Sequence, residues 1–128
     1  MSDADLPAAV RAINEALESG SPDEAFTMLA PGAVLWHNDD KVDMDAAEGI
    51  ARVKGLHELV DGVRVEVVQV EGLSSGWFQR IVLHGTVRSS GHALAAHNCA
   101  LISIADDGRI TRIDEYVDPT FLAQLGVA

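Results

Sequence analysis

Asp106-Asp107-Gly108-Arg109-Ile110-Thr111-Arg112-Ile113-Asp114-Glu115-Tyr116-Val117-Asp118-Pro119 is the stretch from which the fold can be read. Asp-Asp-Gly between two apolar runs suits a type I turn with the glycine in the left-handed position, so a hairpin is expected there. Pro119 cannot donate to a strand ladder, and Thr120 to Leu125 should begin a short helix. Period-two alternation sends Ile113, Glu115 and Val117 to one face and Asp114, Tyr116 and Asp118 to the other. One face is thus apolar with a single carboxylate in its middle. Such an acid is costly unless it is exposed, paired or kept neutral. Glu115 is therefore the first candidate for chemistry. The competing reading pairs it with Arg80 or Arg112, or leaves it exposed at the sheet margin.

If Ala105 faces Arg109 across the turn, Leu101 falls opposite Ile113, Cys99 opposite Glu115 and His97 opposite Val117. On that register His97, Leu101, Glu115 and Val117 share one face. A bulge would move the pairing by one residue and turn His97 outward. His84, on the preceding strand, could reach the same face.

Working outward, Val63 to Val70, Trp77 to Val87 and His92 to Ala105 read as three further strands, separated by turns at Gly72–Gly76 and Arg88–Gly91. Upstream, Leu6, Ala9, Val10, Ile13 and Leu17 recur at helical spacing. Ser21-Pro22-Asp23-Glu24 reads as a second helix start, with Ser21 as cap and Glu24 completing a capping box. That helix would carry Phe26 and Leu29 inward and stop at Pro31-Gly32. Ala33 to Asn38 suits a strand, Asp39 to Asp45 a polar loop, and Ala46 to Val60 a third helix that Asp61-Gly62 breaks. Helices first and antiparallel strands afterwards imply an α+β layer, with a curved sheet closing over a pocket.

The chain of 128 residues is expected to form one domain spanning 1–128. Its formal net charge of −11, with no basic stripe, opposes binding to phosphate backbones and anionic membrane surfaces, so no nucleic-acid or membrane partner is expected. A small apolar or weakly polar molecule is the partner this balance accommodates. The acidic start Met1-Ser2-Asp3-Ala4-Asp5 and the single Cys99 point to a cytoplasmic protein. Gly72-Leu73-Ser74-Ser75-Gly76 lacks the lysine and helix of a phosphate loop. The five histidines lack tight ligand spacing, and His92 and His97 fall on opposite strand faces, so neither a metal nor another cofactor is expected.

The order of elements, with Trp36-His37-Asn38 on the first strand and Asp114-Glu115-Tyr116-Val117-Asp118 on the last, resembles the nuclear transport factor 2-like superfamily. It looks most like the SnoaL-like branch of polyketide cyclases, and is similar to limonene epoxide hydrolase and ketosteroid isomerase. The resemblance implies a cone-shaped (cystatin-like) α+β fold, with three N-terminal helices and a curved antiparallel sheet around an apolar pocket. It also implies a homodimer packed through the sheet. By this likeness Glu115 falls on the hydrolase's catalytic aspartate, with Ile113 and Val117 on neighbouring pocket-lining positions. Trp36 and Asn38 match its water-holding pair; Asn38 keeps the amide, whereas Trp36 offers only an indole N–H. The hydrolase's Arg-x-Asp pair falls on Val82 and His84, and the isomerase's first-strand aspartate lands near His37. Neither known chemistry carries over whole.

Together these readings imply cofactor-free acid–base chemistry: isomerisation, cyclisation, dehydration or epoxide opening. Glu115 would be the principal base, His84 and His97 its partners, and Asn38 the group that positions water or a substrate oxygen. Trp36, Val82, Leu101, Ile113 and Val117 would line the substrate pocket. His37 should point away from Asn38, and His57 reads as a core or rim residue. The alternative is a non-catalytic ligand-binding or protein-association module of the same fold.

Overall fold

The computed structural model describes residues 6–126; the acidic segment 1–5 lies outside the described residues, as do residues 127–128. Helical apolar spacing builds α1 (Ala8–Ser19), which buries Ala9, Val10 and Ala16. A 3-10 turn (Ala25–Met28) leads into β1 (Leu29–His37), the two-residue β2 (Asp43–Met44) and α2 (Ala46–Leu59). Four long strands follow, β3 (Val60–Leu73), β4 (Gly76–Val87), β5 (Ala93–Ile104) and β6 (Ile110–Tyr116), and α3 (Phe121–Leu125) ends the order. The fold is α+β, but its helices are not three at the N-terminus. Ser21 makes no side-chain cap, and a single turn forms before Leu29 leaves to pair with Ile110. Pro31 and Gly32, expected to stop a helix, lie inside β1, and the third α-helix is C-terminal.

The six strands make one open, curved sheet in the order β2-β1-β6-β5-β4-β3. Every pairing is antiparallel except β1 with β6, which run parallel. That parallel pair matters for the site, because it sets His37 beside Glu115 on neighbouring strands.

The β5–β6 turn forms as its residues demand. Gly108 takes φ 88°, its N–H donates to the Ala105 carbonyl at 2.9 Å, and Ala105 N–H donates to the Arg109 carbonyl at 2.9 Å. The ladder then slips. Ile104 pairs with Ile110 but Ser103 pairs with Arg112, leaving Thr111 as the extra residue of a β-bulge. Beyond the bulge, Cys99 faces Tyr116 and Ala100 faces Glu115. Every inward and outward assignment on β5 is therefore reversed relative to a regular ladder.

Helix α2 is started by Asp45, whose Oδ1 accepts from Glu48 N–H at 2.9 Å while Asp45 N–H donates to Glu48 Oε1 at 3.3 Å. Gly49 lets the helix settle on the sheet, since a Cβ there would overlap the side chains of Leu35 and Phe26. His57 Nε2 meets the Leu17 carbonyl at 2.6 Å, joining α2 to the last turn of α1. Between α1 and β4, Asn14 and Gln79 exchange two amide hydrogen bonds of 3.0 Å, so neither buried amide is left unsatisfied.

Past Tyr116 there is no strand to cover the start of β5, and side chains take its place. Asp118 accepts from His97 N–H at 3.1 Å, and Gln124 both accepts from Ala95 N–H at 3.0 Å and donates to its carbonyl at 3.2 Å. These bonds hold α3 in place, with Phe121, Leu122 and Leu125 facing the interior cavity. No helix among the described residues is long and apolar enough to cross a membrane.

Candidate active site

A cavity of about 460 Å³ lies between the concave sheet face and helices α1, α2 and α3. Its walls are mostly apolar, from Ile13 and Leu17 on α1, Val53 and Leu56 on α2, Ile81 and Leu83 on β4, and Ile113 and Val117 on β6. Five polar side chains join them: His37, Asp39, Arg52, Asn98 and Glu115 (the rim adds Glu58). A volume in the range typical of small-molecule sites, with few polar groups, is what a ligand pocket needs.

Glu115 sits in the middle of β6 with Ile113 and Val117 on its own face, as the alternation requires. Its side chain keeps 24% of its exposure, and the surface it shows is cavity wall. Loss of solvent pushes its pKa from 4.5 up to about 7; the Arg52 charge opposes this and Asp39 adds to it. Half the population then carries a proton near neutral pH. This is the condition a proton-transfer group requires.

His37 stands next to it, with Nε2 at 3.8 Å from Glu115 Oε1. That distance is beyond a hydrogen bond. Burial, reinforced by the Arg52 charge, takes the imidazole pKa from 6.5 down to about 4, against the opposing pull of Asp39 and Asp40. At neutral pH the histidine is uncharged, so the two do not form an ion pair. Between about pH 4 and pH 7 both groups are neutral. The His37 Nδ1 is buried without a hydrogen-bond partner among the described residues.

Arg52, on the cavity side of α2, donates from Nη2 to Asp39 Oδ2 at 2.7 Å, and its Nη1 lies 3.9 Å from Asp40 Oδ2. Burial raises the Asp39 pKa, but the Arg52 hydrogen bond and charge together bring it below the ordinary carboxylate value. Asn98 is held through Oδ1, which accepts from Asp118 N–H at 2.8 Å. Its amide N–H₂ has no protein acceptor among the described residues and is free to serve a ligand.

Several expected site residues lie elsewhere. His97 and Leu101 face away from the cavity because the bulge at Thr111 reverses β5, putting Asn98 and Ala100 inward. His84 pairs with Ala95 on the outer face and reaches Glu66 Oε1 at 2.8 Å through Nε2. Val82 shares that face, and the inward positions of β4 are Ile81 and Leu83. Trp36 is on the outer face too, packed edge-on against Tyr116 with centroids 5.4 Å apart. Asn38 does not line the cavity. Its N–H donates to the Glu115 carbonyl at 3.1 Å and its Oδ1 accepts from Val117 N–H at 2.7 Å, so it continues the β1–β6 seam.

His37, Asp39, Arg52 and Asn98 are the polar lining groups that the sequence reading did not select. For His37 the signal was present: Leu35 and His37 share a parity, and a parallel pairing with β6 brings that parity to the face of Glu115. Arg80 and Arg112 do not pair with Glu115; Arg112 donates to Asp114 at 2.8 Å on the outer side. No group of three or more His, Cys, Asp or Glu among the described residues is placed to hold a metal ion.

An open curved sheet closed by helices over an acid-bearing apolar cavity defines a ligand-pocket fold, and comparisons with known proteins agree. The SnoaL-like domain family matches residues 10–113, and the chain belongs to that family, within the nuclear transport factor 2-like superfamily. Among solved structures, it is similar to a hypothetical protein with a ketosteroid isomerase-like fold from Catenulispora acidiphila, in complex with trimethylamine. That pair shares 17% identity over 95% of each chain, with a TM-score of 0.80. IdmH from Streptomyces antibioticus, a proposed polyketide cyclase, shares 21% identity over 99% of this chain and 100% of its own, with a TM-score of 0.78. A proposed isomerase from Bacillus subtilis shares 14% over 100% and 98%, with a TM-score of 0.79. At these identities the likeness is one of fold. No curated protein matches the chain significantly.

Proposed function

We propose that this protein is a cofactor-independent acid–base enzyme of the isomerase or cyclase type, acting on a small, largely apolar molecule. The observation that carries the reading is Glu115: a carboxyl group in the wall of an apolar cavity, with a pKa of about 7. The carboxylate takes a proton from a carbon or oxygen acid of the ligand and returns it elsewhere on the same molecule. Neutral His37 and the free amide of Asn98 offer polar contacts to the ligand beside it. Names of similar structures, which include polyketide cyclase and isomerase, support the same class. Epoxide opening in the manner of limonene epoxide hydrolase has less support, because Val82 and His84, on which its charged pair falls, lie on the outer face of β4 while Ile81 and Leu83 line the cavity.

The test is solvent exchange. Deuterium uptake at the carbon next to the carbonyl of 2-tetralone, followed by proton NMR, should be accelerated by wild type. Glu115→Gln should lower that acceleration by about 10² to 10⁴, the usual worth of a positioned base. Equal rates for the two proteins would remove Glu115 from the mechanism.

A second reading, protein association, draws on the outer sheet face. Leu101 and Tyr116 are 44% and 45% exposed there, beside Trp36. A second copy of the chain is the partner this face suits in the homodimer reading. Sedimentation of Leu101→Lys against wild type tests it, since an unchanged monomer mass for both would exclude that partner.

A further inference from the structure

The cavity holds one lysine or arginine among its described lining residues, in a chain whose net charge is −11. Arg52 makes one hydrogen bond to the protein, from Nη2 to Asp39; its Nη1 stands 3.9 Å from Asp40 Oδ2, too far for a second, and the rest of its donor fork has no hydrogen-bond acceptor among the described residues. It is not a stray surface residue. Asp39, in the turn just after β1, accepts its bond, α2 carries it to the cavity wall, and its charge is felt by both Glu115 and His37.

We propose that Arg52 is the anion-binding group of this cavity: its guanidinium, held by Asp39, receives an oxyanion of the ligand. The assignment rests on the proton-transfer reading of Glu115. When the Glu115 carboxylate removes a proton from the carbon beside a carbonyl, the C–H electron pair becomes the new C=C bond and the carbonyl π pair moves onto oxygen. The negative charge passes from Glu115 to the ligand oxygen and the total charge of the site is unchanged. Returning the proton to a different carbon completes an isomerisation with no oxidant or reductant.

Arg52 supplies what that step lacks, a fixed positive group for the developing charge, and planar donors suit an oxyanion better than an ammonium would. The Asp39 bond fixes its position, and Asp39 with Asp40 behind it offsets its charge in the empty cavity. The site therefore offers guanidinium donors without an unpaired positive charge. A carboxylate brought by the ligand would meet the same donors. The charged and titratable groups facing such an anion are His37 from β1, Asp39 and Asp40 beyond it, Glu58 from α2 and Glu115 from β6. Of these, Glu115 is the one that changes charge near neutrality, so anion binding should be coupled to its protonation.

The experiment compares 2-naphthoate with its neutral isostere 2-naphthamide by titration calorimetry. In wild type near pH 6, naphthoate should bind about tenfold tighter, the scale of one charge-assisted contact. Its binding near pH 7 should draw protons from the buffer, and the preference should shrink toward pH 8 as Glu115 ionises. Arg52→Gln should bring the two affinities within twofold, and Arg52→Lys should fall between, keeping the charge without the fork. Circular dichroism melts verify that each variant folds. Equal affinities in wild type, no naphthoate binding up to millimolar concentration, or an unchanged preference in Arg52→Gln would each overturn the assignment. Carbon-13 NMR titration of the Glu115 carboxyl keeps the two readings apart. An ordinary pKa there with naphthoate selectivity intact sinks the proton-transfer reading alone; a pKa near 7 with no selectivity sinks Arg52 alone.

Discussion

Neutral His37 and protonated Glu115 should leave opposite marks on the pH dependence of stability, and single substitutions should expose each. A raised carboxyl pKa means that the folded state holds its proton while the unfolded chain has released it. Between 4.5 and about 7 the unfolded state therefore binds fewer protons, and stability falls as pH rises through that window. At about 1.4 kcal/mol per pH unit, Glu115 removes about 3 kcal/mol across it. His37 works the other way. Its imidazole is protonated in the unfolded chain below 6.5 but in the fold only below about 4, so the unfolded state binds more protons and stability rises with pH in that window, again by about 3 kcal/mol. The windows overlap almost completely, and the two slopes cancel in wild type. His37→Asn leaves Glu115 unopposed: relative to wild type it should lose about 3 kcal/mol between pH 4 and pH 6.5. Glu115→Gln should gain a similar amount on wild type between pH 4.5 and pH 7. Urea unfolding at fixed ionic strength measures both, and differences between proteins cancel the remaining carboxylates. Curves that stay parallel across this range would show that neither group is buried as described.

Other expectations concern the residues placed around the site. His84→Ala and His97→Ala should leave exchange activity within about twofold of wild type, because both face away from the cavity; a loss resembling that of Glu115→Gln would place them back in the mechanism. Asn14→Ala strands the Gln79 amide in the core and should cost about 1–3 kcal/mol by urea unfolding, with much of it recovered in a double Asn14→Leu, Gln79→Leu protein. Gly49→Ala drives a methyl group into Leu35 and Phe26 and should destabilise by about 1–3 kcal/mol, visible as a lowered melting temperature.

How far the sequence could be read depended on where each piece of information lies in the chain. Local chemistry was legible: the Asp-Asp-Gly turn, the stop at Pro119, and the parity that puts Ile113, Glu115 and Val117 on one face. The α+β class followed from the same periodicities. What escaped depended on pairing. Thr111 is an unremarkable strand residue, yet the bulge there decides whether His97 or Asn98 looks inward, and no local preference announces it. His37 was set aside because Asn38 carried the better-known amide. The parallel alignment of β1 with β6 fixes the opposite parity, and it joins segments nearly eighty residues apart. Arg52 was invisible for a third reason: on a solvated helix an arginine beside acids reads as surface, and only the packing angle of α2 shows where its face leads.

The same geometry explains why an acid this costly sits where a leucine would pack. Between about pH 4 and pH 7 the carboxyl and the imidazole are both uncharged, and Arg52 is paired with Asp39, so an apolar ligand enters without stripping water from an unpaired ion. Charge is exchanged only when a proton moves, and the negative charge moves toward Arg52, the one arginine or lysine among the described lining residues. Replacing Glu115 by leucine should accordingly stabilise the fold above pH 7 by removing a buried carboxylate, while abolishing exchange. A leucine variant that was less stable than wild type at pH 8 would show that the acid is held by partners in the fold rather than strained within it, and the poised-proton argument would lose its basis.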